Sequence, residues 1–398
     1  MQNKPVINIV TAGDRYNYGD VLYAVVMSEY IKKYEPEIYN NYNILHYGII
    51  KSDLTSVGGI ETLPIKQLYN CVFAEKSMTV VAGGQVIGAN IEVLFKFLKK
   101  NKLTLYADLF RYFLFSKIGK DRGDLLVRRF CCKHKFPYII SAESLSSSCI
   151  IAYSNVGGSV ASDETQAVEN IKRADYFSVR DTLSFKENKK YRDDIILTPD
   201  AAVIMSDVFP REKLDIEVSK AVRAVKGRYI AIQFSLSYYR QHTQEIVSTL
   251  TDFKKKYKGI NIVLVPIGYA ILHDDLIALK ELKIKIPEAI FIEKLTIKEI
   301  MYLISGSELC IATSLHGIVT AMSYSVPYIA LGAHNSSTKL DEFVNTWGCE
   351  PYNHTMPISK LFDYYDNRLK YDKALKDNAK YQLSLAKQNY DNLFALIK

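Results

Sequence analysis

The 398-residue chain has no run of ~18 uncharged apolar residues, so no stretch of it reads as a membrane-spanning helix. Its first residues, MQNKPVINIV, lack the basic start and small-residue cleavage site of a secretion signal, and the expected location is the cytosol. Cysteine is sparse. The six cysteines, Cys71, Cys131, Cys132, Cys149, Cys310 and Cys349, form no C-x-x-C pair and no Cys/His cluster with zinc-ligand spacing, and they read as reduced, mostly buried thiols. Neither H-E-x-x-H nor a D-x-D carboxylate pair occurs, so a hard cation has no evident ligands; no metal and no resident cofactor are expected. Internal repeats and low-complexity tracts are also missing.

What is present is a globular balance, 48% hydrophobic and 24% charged, in a chain long enough for two cores. Short β-rich apolar runs alternate with helical patterns: residues 6–11, 42–47, 79–82, 138–142, 176–179 and 195–198, then 229–234, 262–267, 290–292, 309–312 and 328–331. The two series predict an α/β protein of two Rossmann-like, doubly wound domains facing a cleft, the glycosyltransferase-B type of arrangement. Between them, residues 206–227 carry Pro210, many charges and little strand character. The expected division is 1–207, 208–370, and a closing helix over 371–398, where Leu375, Ala379, Leu383, Ala386, Tyr390, Leu393 and Ile397 recur at helical spacing.

In open parallel sheets ligands sit beyond the carboxyl ends of strands, where loops enter helices. At those places stand Asn17-Tyr18-Gly19-Asp20, Gly83-Gly84, Arg180-Asp181, Asp200, and Thr313-Ser314-Leu315-His316-Gly317. Each has a plain reading beside a functional one. Asp20 serves as an N-cap for a helix over 21–33 or lines the site. Gly83 and Gly84 make a tight turn or approach a phosphate. Arg180 pairs with its neighbour Asp181 or grips a carboxylate or phosphate. His316 opens a helical run over 318–324, either as a structural hydrogen-bonding residue or as an acid/base beside an anion held by the helix amides.

Taken in order, Asn17-Tyr18-Gly19-Asp20, Ala82-Gly83-Gly84, Ser178-Val179-Arg180-Asp181, Pro199-Asp200, Ser314-Leu315-His316-Gly317, and Val326-Pro327-Tyr328-Ile329-Ala330-Leu331 followed by Lys339 resemble the landmarks of the polysaccharide pyruvyl transferase family. The resemblance spans roughly residues 6–348. It implies transfer of the enolpyruvyl group of phosphoenolpyruvate to a sugar, free or polyprenyl-linked, with release of phosphate and closure of a cyclic ketal. It also implies His316 as general acid/base and Arg180 and Lys339 as ligands of the donor's phosphate and carboxylate. Asn17 and Asp20 would shape the loop lining the cleft, and His273, by its position after a strand, would contact a hydroxyl or phosphate or lie in a solvated loop. Many family members carry an arginine two positions before the histidine; this chain has Ser314 there. The competing readings are a glycosyltransferase using a nucleotide sugar in the same cleft and a noncatalytic glycan-binding protein.

The net charge of +8 is concentrated: residues 96–136 hold twelve Lys and Arg against three Asp. Within them LTLYADLFRYFLF (103–115) is either a helix with its apolar side in the core or a peripheral contact for the anionic face of the cytoplasmic membrane. No helix-turn-helix, zinc-finger or RNA-binding signature accompanies the charge, so no specific nucleic-acid partner is expected.

Overall fold

The computed structural model of the chain describes residues 4–99, 102–117, 121–130, 133–145, 149–270, 273–332 and 338–398. Among the described residues fourteen strands form two sheets. The first contains β1 (Val6–Val10), β2 (Asn43–Gly48), β3 (Ser52–Asp53), β4 (Glu61–Pro64), β5 (Met78–Ala82), β6 (Gln85–Ile87), β7 (Ile150–Gly158), β8 (Tyr176–Val179) and β9 (Ile196–Leu197). Its order is β3-β4-β2-β1-β5-β7-β8-β9, with β6 added to β7, and only the β3/β4 pair is antiparallel. The second sheet, all parallel, is ordered β12-β11-β10-β13-β14 from β10 (Arg228–Gln233), β11 (Ile260–Leu264), β12 (Ile290–Phe291), β13 (Leu309–Ala312) and β14 (Tyr328–Ala330). In each sheet the strand order reverses about the first strand, which puts crevices at the carboxyl ends of β1/β5 and β10/β13.

One expected strand is misplaced in the sequence reading. Residues 138–142 are buried but turn-like: Tyr138, Ile139 and Ile140 are at most 1% exposed, and the Ile140 amide donates to the Tyr153 hydroxyl at 2.8 Å rather than to a ladder. The strand that occupies this place in the sheet is Ile150–Gly158. It carries a register shift between Tyr153 and Val156, where Asn155 takes a positive φ of 54°, and that bulge with its two terminal glycines disguises the alternation in sequence. Residues 206–227 fold into short helices, Arg211–Glu217 and Lys220–Arg223 among them.

The helix Tyr18–Tyr34 follows β1. Asn17, in extended conformation, stands at its N-cap, Asp20 lies in its first turn, and Lys32 and Lys33 lie in its last, so both ends complement the helix dipole. Asp20 is therefore not the cap. Val21, Leu22, Ala24, Val26, Met27 and Ile31 are fully buried because this helix is covered on several sides at once, and its apolar residues belong to the same core as the second sheet. That core also takes in the helix Asp372–Ala395, which runs back over the first half of the chain. Tyr30 donates to Asp391 at 2.6 Å, Tyr176 to Asn389 at 2.7 Å, and the Asn389 amide to Asn155 at 2.9 Å.

Of the cysteines, Cys149 and Cys310 are buried, Cys349 is half-buried and Cys71 is exposed; all four are free thiols, and Cys131 and Cys132 lie outside the described residues. Among the described residues no helix is long and apolar enough to cross a membrane.

Candidate functional site

The loop after β1 and the loop after β11 close on each other. Tyr16 stacks on Tyr269 with ring centroids 4.6 Å apart, the Tyr18 amide donates to Ile267 O at 3.1 Å, the Tyr269 amide donates to Tyr16 O at 3.2 Å, and Asn17 bridges Gly268. The Tyr16 hydroxyl also donates to Leu295 O. Next to this seam lies a cavity of about 240 Å³ lined by Asn17, His273, Ser314, His316 and Lys339 together with Gln233 and Asp275. Six of the residues singled out in the sequence, following four different strands in two sheets, therefore meet at one place or directly beside it, counting Asp20, whose carboxylate accepts from Asn17 Nδ2 at 2.9 Å.

Behind His316 is a fully buried polar cluster. The Tyr23 hydroxyl is 2.7 Å from His316 Nε2, 2.6 Å from Arg180 Nη1 and 2.8 Å from Asp200 Oδ2; Arg180 Nη1 also donates to Asp200 Oδ2 at 2.7 Å. Arg180 is 2% exposed and Asp200 wholly buried, so the guanidinium's ion-pair partner is Asp200, not Asp181. Asp181 instead caps the helix Thr182–Asn188, accepting from the Ser184 amide at 2.7 Å. His316 and Arg180, from different halves of the chain, thus face each other through a single tyrosine hydroxyl.

Electrostatics follow from this packing. Burial alone would raise the Asp200 carboxyl, but Arg180, His316 and the Ala202 amide bring it below the ordinary range, so it is ionised. Burial opposes charge on Arg180 as well, yet Tyr23 and Asp200 hold its pKa above the ordinary value. Burial raises the Tyr23 phenol well above its usual pKa, so it keeps its proton. A carboxylate can only accept, and the Arg180 guanidinium can only donate. The one proton of Tyr23 therefore goes to Asp200, one lone pair accepts from Arg180, and the remaining lone pair takes Nε2–H of His316. This count assigns His316 the Nε2–H tautomer and leaves its lone pair on Nδ1. Burial pushes the imidazole pKa down to about 4, with Asp200 pulling upward and Arg180 pushing further down, so the ring is neutral at pH 7.

The glycines make room for this cluster. A β-carbon on Gly19 would stand 1.9 Å from His316 Nδ1, one on Gly83 would stand 2.1 Å from the Tyr23 ring, and one on Gly157 would stand 3.0 Å from Arg180 Nε. Gly83 and Gly84 also take φ of +62° and +79°, as a tight turn requires. They lie beneath Tyr23 and do not line the cavity. Gly19→Ala is expected to cost about 1–3 kcal/mol by overpacking and to push the imidazole off Tyr23. In an NMR titration its pKa should then rise from about 4 toward the ordinary histidine value; an unmoved midpoint would show that the ring tolerates the methyl group.

The cavity's floor is the start of the helix Leu315–Ser323. Ser314 occupies its N-cap without a side-chain cap bond, and its own amide donates at 3.0 Å to Gln233 Oε1, which also accepts from the Thr313 amide at 3.1 Å. Gln233 is oriented in turn by Asp275, which accepts from Gln233 Nε2 and from the Gly268 amide, each at 2.9 Å; burial pushes this carboxyl up to about 6. No Ser314 side-chain bond caps the first-turn amides of Leu315–Ser323, and Leu315 and His316 line the cavity, an arrangement suited to an anion. Lys339 opens the helix Lys339–Trp347 and makes no ion pair among the described residues. It is exposed as a residue, yet its ammonium is desolvated enough, and near enough to Arg180, to lie below the usual lysine value, with Asp20 opposing. Lys339 also borders a second cavity of about 340 Å³, with Gln85, Ser159, Glu187 and Glu342. His273 is lowered by burial and sits 5.6 Å from the Phe97 ring.

Sequence reasoning gave no role to Tyr23, Asp200, Gln233 or Asp275. Tyr23 stands inside the apolar run Val21–Met27 and reads as core. Asp200 was legible as a landmark after β9, and a buried aspartate at a strand end is a signal that could have found it.

The family model for polysaccharide pyruvyl transferase matches residues 134–335, half of the chain. The matched span holds Arg180, Asp200, His273, Ser314 and His316. None of the curated protein sequences compared with the chain matches it. Among solved structures, the UDP-GlcNAc 2-epimerase of Neisseria meningitidis bound to UDP-GlcNAc is similar with a TM-score of 0.56 at 12% identity, covering 98% of this chain and 99% of that one. The UDP-GlcNAc 2-epimerase of Methanocaldococcus jannaschii is similar with a TM-score of 0.52 at 14% identity, covering 92% and 91%. At such identities the likeness concerns the fold: two Rossmann-like halves of glycosyltransferase-B type.

Proposed function

Since the chain belongs to the polysaccharide pyruvyl transferase family, we propose that it transfers the enolpyruvyl group of phosphoenolpyruvate to a sugar and closes a cyclic pyruvate ketal, with His316 as the acid/base. What supports this reading is one observation: a neutral imidazole, held by Tyr23, beside the open amides of the helix Leu315–Ser323 in a cavity shared by both halves. The helix amides and Lys339 bind the donor's phosphate and carboxylate. Arg180, with its Nη1 already engaged, supplies positive charge from behind and fixes Tyr23 and Asp200.

In this reading the imidazole, protonated on Nδ1 as the anionic donor binds, gives that proton to the donor's methylene carbon, making C2 oxocarbenium-like. A sugar hydroxyl attacks C2 and returns its proton to the imidazole. The C2–O bond to phosphate then breaks, a second hydroxyl closes the ketal, and its proton leaves with phosphate. Asn17, Asp20, Ser314 and His273 line the space in which the acceptor meets the donor. The assay is mass spectrometry of glycan acceptors incubated with phosphoenolpyruvate. Phosphate released only with an acceptor, and a product heavier by pyruvate, is the expected result. Nucleotide released from a sugar nucleotide, or no product with any donor, would overturn the reading.

A pH effect follows from the low imidazole pKa. The free enzyme holds His316 neutral at pH 7, and an anion bound beside the ring raises that pKa, so donor binding draws in protons and strengthens as pH falls toward about 4. Calorimetry in buffers of different ionisation enthalpy should show net proton uptake by the wild type that is reduced in His316→Ala. Equal uptake by the two proteins would place the proton elsewhere.

A further inference from the structure

Among its described side chains, the helix Lys102–Lys117 buries apolar residues on one side and exposes apolar residues on another. Leu105 and Tyr112 are 4% exposed and pack into the first half's core. On the opposite side Leu103, Tyr106, Phe110 and Phe113 are 81%, 64%, 63% and 54% exposed. Their spacing of three, four and three residues places them in one stripe along the helix, about 15 Å long at 1.5 Å per residue. The helix therefore has an apolar side in the core, as one of the two sequence readings expects, and leaves further apolar residues exposed on the other side.

The surroundings of the stripe are positive. Asp108, the helix's single carboxylate, pairs with Lys99 and with Arg129 at 3.0 Å and contributes no free negative charge. Lys117 stands 5.3 Å over the Phe113 ring, and Arg111, Arg128 and Lys133 are exposed nearby in the chain. Lys100, Lys120, Cys131 and Cys132 of the basic segment lie outside the described residues.

We infer that this outer face of Lys102–Lys117 docks on an anionic bilayer surface, its aromatic and leucine side chains entering the interface while the surrounding cations meet lipid headgroups. A second copy of the chain would bring the same positive excess against itself, which disfavours a homotypic contact. Phe97, five residues before the helix, lies 5.6 Å from the ring of His273, which lines the candidate cavity. The inference is independent of the reaction proposed above, since it concerns binding alone.

The test is co-sedimentation with vesicles of phosphatidylcholine, pure or with about a third phosphatidylglycerol. The full chain is expected to bind the anionic vesicles at least ten-fold more strongly than the neutral ones, and less as salt rises. The double variant Leu103→Ser/Phe110→Ser, at exposed positions, should lose at least ten-fold of that binding with an unchanged melting temperature. Equal binding to both vesicle types, binding to neither, or full binding by the double variant would overturn the proposal. So would a vesicle-free dimer of the wild type that the double variant loses, which would make the stripe a contact between copies.

Discussion

Replacing His316 with alanine is expected to lower turnover by about 10²–10⁴-fold, the range over which a positioned acid/base acts, while the protein stays folded. The fold survives because Tyr23 keeps its proton on Asp200 and its bond from Arg180, so no buried group in the cluster loses its last partner. The measurement is acceptor-dependent phosphate release under saturating donor, with a melting curve on the same sample. On the proposed roles, with the imidazole acting on the reacting carbon and Lys339 and the helix amides holding the anion, the loss should fall on kcat rather than KM. A folded His316→Ala protein with wild-type turnover would remove the histidine from the chemistry.

Arg180→Ala should behave in the opposite manner, acting first on stability. Asp200 is wholly buried, and its carboxylate depends on Arg180 at 2.7 Å for compensation. Removing one member of such a pair costs about 3–5 kcal/mol, because the remaining charge is stranded. Urea unfolding at neutral pH should report that loss. The double variant Arg180→Met/Asp200→Asn should recover most of it, because no uncompensated charge remains, although its Tyr23 and His316 are no longer held and its turnover stays low. An Arg180→Ala protein within about 1 kcal/mol of wild type would mean that the pair contributes little.

The fold was readable because parallel strands buried on both faces announce themselves as apolar runs. Five of the first sheet's strands and all five of the second lie where those runs stand. Residues 138–142 misled because burial and strand are not the same thing: a tyrosine hydroxyl, not a ladder, satisfies the Ile140 amide. The site was readable where it consists of polar residues at strand ends, as with Arg180 and His316. It was unreadable where function depends on packing. Gly19 and Gly83 carry no local sign that their missing side chains are needed by His316 and Tyr23, and Tyr23 itself is hidden among Val21, Leu22, Val25 and Val26. Arg180 and Asp181 invited pairing by adjacency, but a β-strand end sends consecutive side chains to opposite sides, one into the cluster and the other onto a helix start.

The helix Asp372–Ala395 bears on how the molecule is made. Its Asn389 completes a hydrogen-bond network inside the first sheet, and its Asp391 satisfies Tyr30 of the early helix. During synthesis the amino-terminal half thus leaves the ribosome with a groove that stays open until more than 180 later residues have emerged. The packing of that half is completed only when this helix arrives. A fragment cut between the two sheets would present this apolar furrow to solvent, and chaperones or aggregation would meet it before its own tail could.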